Sequence, residues 1–210
     1  MVKDKYCYPG TDVLINKFDI RDYQELERVE RMFTAKRMAE LELKPIASTF
    51  DLRHLQKIHQ HIFKDLYDWA GKTRDVDIIK GNSYFCPAFQ IKDYSDEIFK
   101  QLKSEKFLKG LDIERFSERA AYYLGEINST HPFREGNGRT QREFIRNLAQ
   151  KNGYHLSWDK VDRDDFINAS EQSHLRGNNA PFARVIEQCI ENRIPDKALI
   201  RAFEERFLDR

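Results

Sequence analysis

The chain has 210 residues, which is long enough for one domain with a substantial core. Its 36 basic and 35 acidic side chains leave a formal net charge of +1, which argues against a protein that binds nucleic acids or other polyanions over a broad surface. No apolar run approaches the roughly 20 residues of a membrane-spanning helix, the first residues lack the pattern of a secretory signal peptide, and three scattered cysteines are expected to be reduced thiols (Cys7, Cys86 and Cys189).

Two helices are predicted before residue 70. Residues 21–43 form a long charged segment with apolar positions at helical spacing, and Pro45 ends it. Asp51 is a suitable N-cap for a second helix over residues 52–69, because its carboxylate can accept from N–H groups of the first turn. The apolar positions are Leu26, Val29, Met32, Phe33 and Met38 in the first segment, and Leu52, Leu55, Ile58, Ile62, Leu66 and Trp69 in the second.

Three histidines of the second segment, His54, His59 and His61, have the composition of a metal site. On a helix, however, His59 and His61 face different directions, and His54 lies two turns from His61. This geometry suits zinc poorly, so packing or surface roles are favoured.

A short β-hairpin is predicted over residues 75–87. Residues 75–79 alternate weakly, the Lys-Gly-Asn-Ser sequence at 80–83 provides turn chemistry, and an apolar run resumes before Pro87. From the residues alone, an ordinary surface hairpin and a binding element are equally good interpretations. Tyr84, Phe85 and Phe89 are expected to cover the buried face of this hairpin rather than to stack on bases.

Helical patterns fill most of the remaining chain. They cover residues 91–108 and 113–127, a segment that follows residue 136 and stops near Gly153, a segment from Asp162 or Asp164 to His174, residues 182–190, and a last segment from Pro195 that includes Phe203 and Phe207. The sequence therefore predicts an all-α fold of about seven or eight helices with one short hairpin.

The most informative stretch is residues 131–142, His-Pro-Phe-Arg-Glu-Gly-Asn-Gly-Arg-Thr-Gln-Arg. Pro132 cannot continue the preceding helix comfortably and is expected to push His131 toward an extended backbone. Gly136-Asn137-Gly138 opens the next helix, and its glycines permit positive φ and a close approach of the backbone to a ligand. Free N–H groups at a helix start, helped by the helix dipole, bind anions.

Charged side chains in this stretch have the chemistry of a phosphate site. Arg139, Arg142 and Arg146 are three and four positions apart and are expected to share one helix face. The planar fork of arginine suits phosphate oxygens, and a bound anion would offset the cost of cations at a helix start. Glu135 beside a phosphate calls for a bridging cation, for which Mg²⁺ is the usual choice. A neutral imidazole at His131 could take a proton from an attacking hydroxyl.

The same stretch resembles the signature of Fic domains, His-x-Phe-x-Asp/Glu-Gly-Asn-Gly-Arg-x-x-Arg, and matches every defining position. Residues 69–74, which contain Trp-Ala-Gly and an arginine, are similar to the element that precedes the β-hairpin flap of that family. Residues 8–11 and 16–17 resemble the start of Fic domains in bacterial effectors delivered to host cells by type IV secretion. Together these resemblances cover most of the chain.

The resemblance implies one Fic-type helical domain over residues 1–210, with an N-terminal extension at 1–20, a flap at about 75–87 and a motif loop at 131–142. We expect it to be part of a longer protein. The implied activity is that of a protein adenylyltransferase, which transfers AMP from ATP to a Ser, Thr or Tyr hydroxyl of a target, expected to be a host protein, and releases pyrophosphate. The implied localisation is the bacterial cytoplasm before export and then the host cytoplasm.

The resemblance also assigns roles to individual residues. His131 would be the general base, Phe133 a buried structural anchor, and Glu135 the ligand of Mg²⁺. The anion hole would be formed by Gly136, Asn137 and Gly138, the outer phosphates would be bound by Arg139 and Arg142, and the target would dock on the flap at Ile79, Lys80, Gly81, Asn82 and Ser83.

The sequence lacks the motif by which many Fic enzymes inhibit themselves, and this bears on how the domain is regulated. Many Fic enzymes are inhibited by the glutamate of a Ser/Thr-x-x-x-Glu-Gly/Asn helix, which pairs with the second motif arginine, here Arg142. Glutamate precedes Gly or Asn at Glu135 and Glu191 in these 210 residues, and the positions four residues earlier are His131 and Glu187. Two interpretations remain, a separate small antitoxin that supplies the glutamate, which is favoured, or a domain without regulation in cis.

The sequence leaves three alternatives to AMP transfer. The domain could transfer UMP, phosphocholine or phosphate, it could be the toxin component of a pair with an antitoxin, or it could be a catalytically inactive module that binds nucleotide. A related kinase carries a lysine at the position of Gly138, so Gly138 favours AMP, and the intact His131 argues against the inactive module. The adenine pocket is expected near Asn178 or Asn179.

Overall fold

The computed structural model describes residues 4–81 and 83–206, apart from the side chain of Lys80. Eight α-helices and one two-stranded antiparallel hairpin occur in these ranges, which confirms the predicted all-α class. In chain order the elements are α1 (Tyr23–Leu43), α2 (Leu52–Phe63), β1 (Ile79–Lys80), β2 (Ser83–Tyr84), α3 (Ile91–Ser104), α4 (Ile113–Thr130), α5 (Asn137–Lys151), α6 (Arg163–Arg176), α7 (Ala180–Cys189) and α8 (Lys197–Glu205). Asn82 of the predicted flap and Phe207 of the last predicted helix lie outside the described residues.

Aspartate side chains begin most of the long helices. Asp51 accepts a hydrogen bond from the His54 N–H at 2.8 Å, which confirms it as the N-cap of α2. Helix α5 begins differently, because its N-cap is Gly136, which has no side chain that could accept from the first turn. The start of α5 therefore presents N–H groups that a ligand can use.

Helices α4 and α5 form the centre of the molecule. Helix α4 packs against α3, α5, α6 and α7, and α5 packs against α2, α4 and α8. The loop between them is consequently held by two buried elements rather than by surface chain. No helix in the described ranges is long and apolar enough to span a membrane.

Two predicted helices end earlier in the structure than expected. Helix α2 stops at Phe63 instead of residue 69, and the next residues form turns that still bury Leu66. Helix α3 stops at Ser104, and the predicted continuation to residue 108 is replaced by a turn in which residues 106–108 have φ between +52° and +63°. Met32, predicted on the apolar side of α1, is 63% exposed, because α1 turns Leu26 and Leu41 toward the core.

Candidate active site

His131 closes α4 as its C-cap, in the left-handed conformation with φ 45° and ψ 60°. The prediction of an extended backbone before Pro132 is wrong. Helix ends commonly use one left-handed residue, whose N–H satisfies a carbonyl of the last turn, and here the His131 N–H donates to the Ile127 carbonyl at 3.0 Å. A histidine in this conformation costs on the order of 1 kcal/mol, so neighbouring contacts must maintain it.

The His131 imidazole is oriented by a backbone carbonyl. Its Nδ1 lies 3.3 Å from the carbonyl oxygen of Asn128, which can only accept a hydrogen bond. We infer that the neutral ring carries its proton on Nδ1 and its lone pair on Nε2. The Phe85 ring stacks on the imidazole, with centroids 3.9 Å apart.

Phe133 and Asn137 fix the shape of the motif loop. The Phe133 N–H donates to Asn137 Oδ1 at 2.9 Å, and Asn137 Nδ2 donates to the Phe133 carbonyl at 2.7 Å. The Phe133 side chain is buried and stacks on His59 with centroids 4.0 Å apart. Since the Asn137 side chain is used within the loop, its contribution to an anion hole would come from the backbone N–H.

His59 holds the loop from α2, a role that residue spacing did not reveal. Its Nδ1 accepts from the Gly71 N–H at 2.8 Å, so its Nε2 is the donor to the Glu135 carbonyl at 3.0 Å. Burial lowers the pKa of His59 to about 4, and the ring is neutral at physiological pH.

The two glycines of the motif have different surroundings. Gly136 has φ +79°, and a Cβ added there would lie 2.1 Å from Cζ of Phe63. Its N–H donates to Glu135 Oε1 at 2.8 Å. A Cβ added at Gly138 would have no atom within 4 Å. Gly136 is thus required by the protein's own packing, whereas space at Gly138 is open toward a ligand.

The Arg139 side chain contacts α1, α2 and the motif loop. Its Nη2 donates to Glu30 Oε1 at 2.6 Å and its Nη1 to Thr34 Oγ1 at 3.2 Å. The guanidinium lies 4.6 Å from the centre of the Phe63 ring, and its Nη2 is 3.6 Å from Glu135 Oε1. Sequence reasoning missed Glu30, since nothing distinguishes it from the other charges of a long surface helix.

Arg142 is surrounded by cations. Burial, together with the positive charges of Arg139 and Arg163, lowers the pKa of Arg142. Its guanidinium lies over the Phe166 ring, 5.2 Å from the centroid. A phosphate chain among these three guanidinium groups would relieve their mutual repulsion.

Arg146 shares a helix face with Arg142, as predicted, but it does not line the cavity that Arg139 and Arg142 line. Its Nε and Nη2 each donate to the Glu143 carboxylate at 2.7 Å, and Nη2 also donates to the Leu41 carbonyl at 3.0 Å. Both partners of the buried Arg146 guanidinium lie on α5 or α1. Arg146 therefore stabilises the packing of α5 against α1 and does not line the cavity.

A cavity of about 500 Å³ lies between the motif loop and α6. It brings together seven of the predicted site residues, which are Ser83 of the flap and His131, Glu135, Gly136, Gly138, Arg139 and Arg142 of the motif. Phe85 of the flap region also lines it. The opposite wall was missed by sequence reasoning and comes from α6, with Arg163, Phe166, Ile167, Ser170 and Glu171. A cavity of this size is in the range that small-molecule ligands occupy.

The adenine pocket near Asn178 or Asn179 stays a prediction. Neither Asn178 nor Asn179 is among the residues that line the cavity. Asn179 Oδ1 instead accepts from Ser173 Oγ at 2.6 Å, which joins the start of α7 to α6.

The site fits a magnesium ion that arrives with a nucleotide. The residues that the structure describes contain no group of three His, Cys, Asp or Glu side chains that could hold a metal ion by themselves. The partly exposed carboxylate of Glu135 lines the cavity. Mg²⁺ typically takes one or two carboxylates and completes its shell with phosphate oxygens and water, so a single glutamate beside a phosphate site is sufficient.

The flap pairs Ile79 with Tyr84, and Lys80 with Ser83. Tyr84 is 73% exposed and Phe89 is 82% exposed, so the prediction that they cover the buried face of the hairpin is wrong. Successive residues of an extended chain point to opposite sides, and Phe85, which directly follows β2, turns inward onto His131 while Tyr84 turns outward.

Residues 49–149 match the family model described as "Fic/DOC family". The "Probable protein adenylyltransferase Fic" of Escherichia coli (strain K12) is 38% identical over 194 residues, which cover 90% of this chain and 96% of that protein. The chain belongs to the Fic/DOC family. The curated relatives place this Fic domain in the enzyme class of protein adenylyltransferases.

A second relative extends well beyond this Fic domain. "Protein adenylyltransferase VbhT" of Bartonella schoenbuchensis is 49% identical over 185 residues, and the match covers 88% of this chain but 38% of VbhT. Among solved structures, the BepC protein of Bartonella tribocorum, a VirB-translocated effector with bound AMPPNP, superposes with a TM-score of 0.84 at 28% identity, covering 91% of this chain and 97% of that chain.

Proposed function

We propose that this Fic domain transfers AMP from ATP to a Ser, Thr or Tyr hydroxyl of a target protein, and that the target is a host protein. The proposal is carried by one observation, which is that His131, Glu135, the first residues of α5, Arg139 and Arg142 all line the same cavity. An imidazole, a carboxylate and a set of phosphate ligands around one space are the components of phosphoryl-transfer chemistry. BepC, whose fold is similar, binds the ATP analogue AMPPNP.

In the proposed reaction, Nε2 of His131 takes the proton of the acceptor hydroxyl. The hydroxyl oxygen attacks the α-phosphorus, the bond between the α-phosphorus and the bridging oxygen breaks, and pyrophosphate leaves with the electron pair. Backbone N–H groups at the start of α5, together with Arg139 and Arg142, would stabilise charge on the phosphates. Glu135 would hold Mg²⁺, which supplies further neutralisation of phosphate charge when bound. The protein thus contributes positioning and charge stabilisation.

The flap is the proposed docking site for the target. Its strands are only two residues long, and Ile79 and Tyr84 form an exposed pair on one face. An extended target segment could add backbone hydrogen bonds along this hairpin, and residues 79–83 would then be the ones that contact the target. Ser83 and Phe85 line the cavity, so a hydroxyl docked there would lie close to His131.

A separate inhibitor is the proposed means of control. Arg142 lines the cavity, and these 210 residues lack the inhibitory glutamate motif. A small antitoxin protein could place a glutamate on Arg142, where neighbouring cations favour an anion. Release from this inhibitor would accompany export from the bacterial cytoplasm into a host cell.

Incubation of the purified domain with labelled ATP, Mg²⁺ and host lysate tests the function directly. We expect label on the domain itself, since no internal inhibitor is present, and on a target whose modified peptide gains about 329 Da, the mass of AMP less water. Mass spectrometry of the peptide identifies the acceptor residue. A different mass increment would instead indicate transfer of UMP, phosphocholine or phosphate, and complete silence of the domain alone would contradict the absence of internal inhibition.

Arginine substitutions test the phosphate end of the cavity. Arg142→Ala is expected to weaken binding of a non-hydrolysable ATP analogue by roughly 10-fold to 100-fold, because a charge-assisted hydrogen bond contributes about 1.5–3 kcal/mol. Arg163→Ala should weaken it less, since Arg163 is exposed at the first turn of α6. Calorimetry measures both affinities.

Arg176→Ala is the matched control for both substitutions. Arg176 is an exposed arginine in the last turn of α6, the helix that also carries Arg163, and it does not line the cavity. Equal affinities of Arg142→Ala and the control would show that the phosphates do not contact Arg142.

A further inference from the structure

Arg74 is a buried cation outside the signature motif. Its side chain is fully buried, and its one carboxylate neighbour among the described ion pairs is Asp77, which is largely exposed and 3.9 Å away. A buried charge is costly unless hydrogen bonds satisfy it. The contacts of Arg74 therefore indicate what the charge is for.

The partners of the Arg74 guanidinium are backbone carbonyls on two separate elements. On the side of α4, Nε donates to the His131 carbonyl at 2.8 Å and Nη2 to the Thr130 carbonyl at 3.2 Å. On the side of the flap, Nη1 donates to the Val76 carbonyl at 2.7 Å and Nη2 to that of Cys86. One planar group thus joins the residues that precede and follow the hairpin to the end of α4.

Backbone contacts strengthen the same junction. The Arg74 N–H donates to the Pro132 carbonyl at 2.8 Å, and the Cys86 N–H donates to the Ser129 carbonyl at 3.0 Å. The last carbonyls of a helix lack partners within the helix and form the negative end of its dipole, where a cation is favourable. Arg74 satisfies the carbonyl of His131 itself, in the left-handed conformation that needs support from its surroundings.

We propose that Arg74 is a positioning residue, which holds His131 and the flap in one fixed arrangement so that a docked hydroxyl meets Nε2. The inference rests on the proposed transfer reaction. Arg74 reaches neither α5 nor the cavity-lining arginines, so it acts on the acceptor side and leaves the phosphate side to other residues. Displacement of a reacting group by about 1 Å can cost on the order of 100-fold in rate.

The test compares Arg74→Lys, Arg74→Ala and wild type in three measurements. For Arg74→Ala we expect kcat for transfer to fall on the order of 100-fold, with the affinity for a non-hydrolysable ATP analogue within about twofold of wild type. Arg74→Lys keeps the charge but loses the fork that bonds both elements, so it should remain impaired. Added guanidinium ion at millimolar concentration should restore part of the activity of Arg74→Ala but not that of Arg74→Lys, since lysine fills the space.

Arg119→Ala is the control, because Arg119 is also a well-bonded arginine, on α4, and it pairs with Glu105 away from the cavity. A parallel loss of nucleotide affinity and activity in both Arg74 variants, without rescue, would overturn the proposal in favour of a general structural role. Should Arg74→Ala not fold, the activity and nucleotide affinity of Arg74→Lys decide in the same way. An inactive wild-type domain would count against the proposed function itself, not against Arg74 alone.

Discussion

His131→Ala should abolish AMP transfer while the domain keeps its affinity for ATP. A positioned general base contributes roughly 10²-fold to 10⁴-fold to the rate. The phosphate ligands lie on α5, whereas the imidazole lies at the end of α4, so the substitution removes the base and leaves the anion site in place. Steady-state transfer to the identified target and calorimetry with a non-hydrolysable analogue measure the two effects separately.

His155→Ala provides the matched histidine control. His155 is exposed and pairs with Asp196, remote from the cavity lining. Thermal unfolding of both variants detects any general damage, since His131 also stacks on Phe85. Activity that survives in His131→Ala would show that another group deprotonates the acceptor.

Gly136→Ala should destabilise the domain and inactivate it. The new Cβ would lie 2.1 Å from Cζ and 2.2 Å from Cε2 of Phe63, whose ring is fully buried and stacked on His59. Overpacking in a rigid core costs about 1–3 kcal/mol, and left-handed backbone at a non-glycine residue adds about 1–2 kcal/mol. The motif loop can relieve the clash only by moving away from Phe63, which would displace Glu135 and the start of α5. Chemical denaturation and transfer assays report both losses.

Two other glycines separate the causes of this effect. Gly110→Ala adds a side chain at φ +82° with no atom within 4 Å, so it isolates the backbone strain from the clash. Gly138→Ala has neither a clash nor a positive φ, and should leave stability unchanged or slightly higher, since alanine favours helix. A drop in ATP affinity in Gly138→Ala would indicate close approach of the phosphates. Equal stability of Gly136→Ala and Gly110→Ala would contradict the role assigned to Phe63.

Local sequence signals predicted the features that depend on neighbours along the chain. Asp51 begins α2 because its carboxylate reaches an N–H three residues on, and this distance is contained in the sequence. The turn chemistry at residues 80–83 likewise led to the observed hairpin. The end of α2 was placed too late because apolar spacing continues past Phe63, and the buried Leu66 keeps its place through turns instead of helix.

The spacing of the arginines on α5 did not predict which residues each of them contacts. Spacing places Arg139, Arg142 and Arg146 on adjoining turns, but it does not say which neighbour each one meets. Packing against α1 pairs Arg146 with the Leu41 carbonyl and Arg139 with Glu30, which lies 109 residues earlier in the chain. The three side chains therefore have different surroundings despite one periodic pattern.

By itself, the sequence determined the motif loop, the helical class and the position of the flap, because each depends on residue types and on spacings of a few positions. The tertiary structure decided that α6 forms the second wall of the cavity and that Arg74 joins the flap to His131, 57 residues away. Those contacts depend on how helices pack against one another. The periodicity of a sequence indicates which face of a helix is apolar, but it does not indicate which element packs against that face.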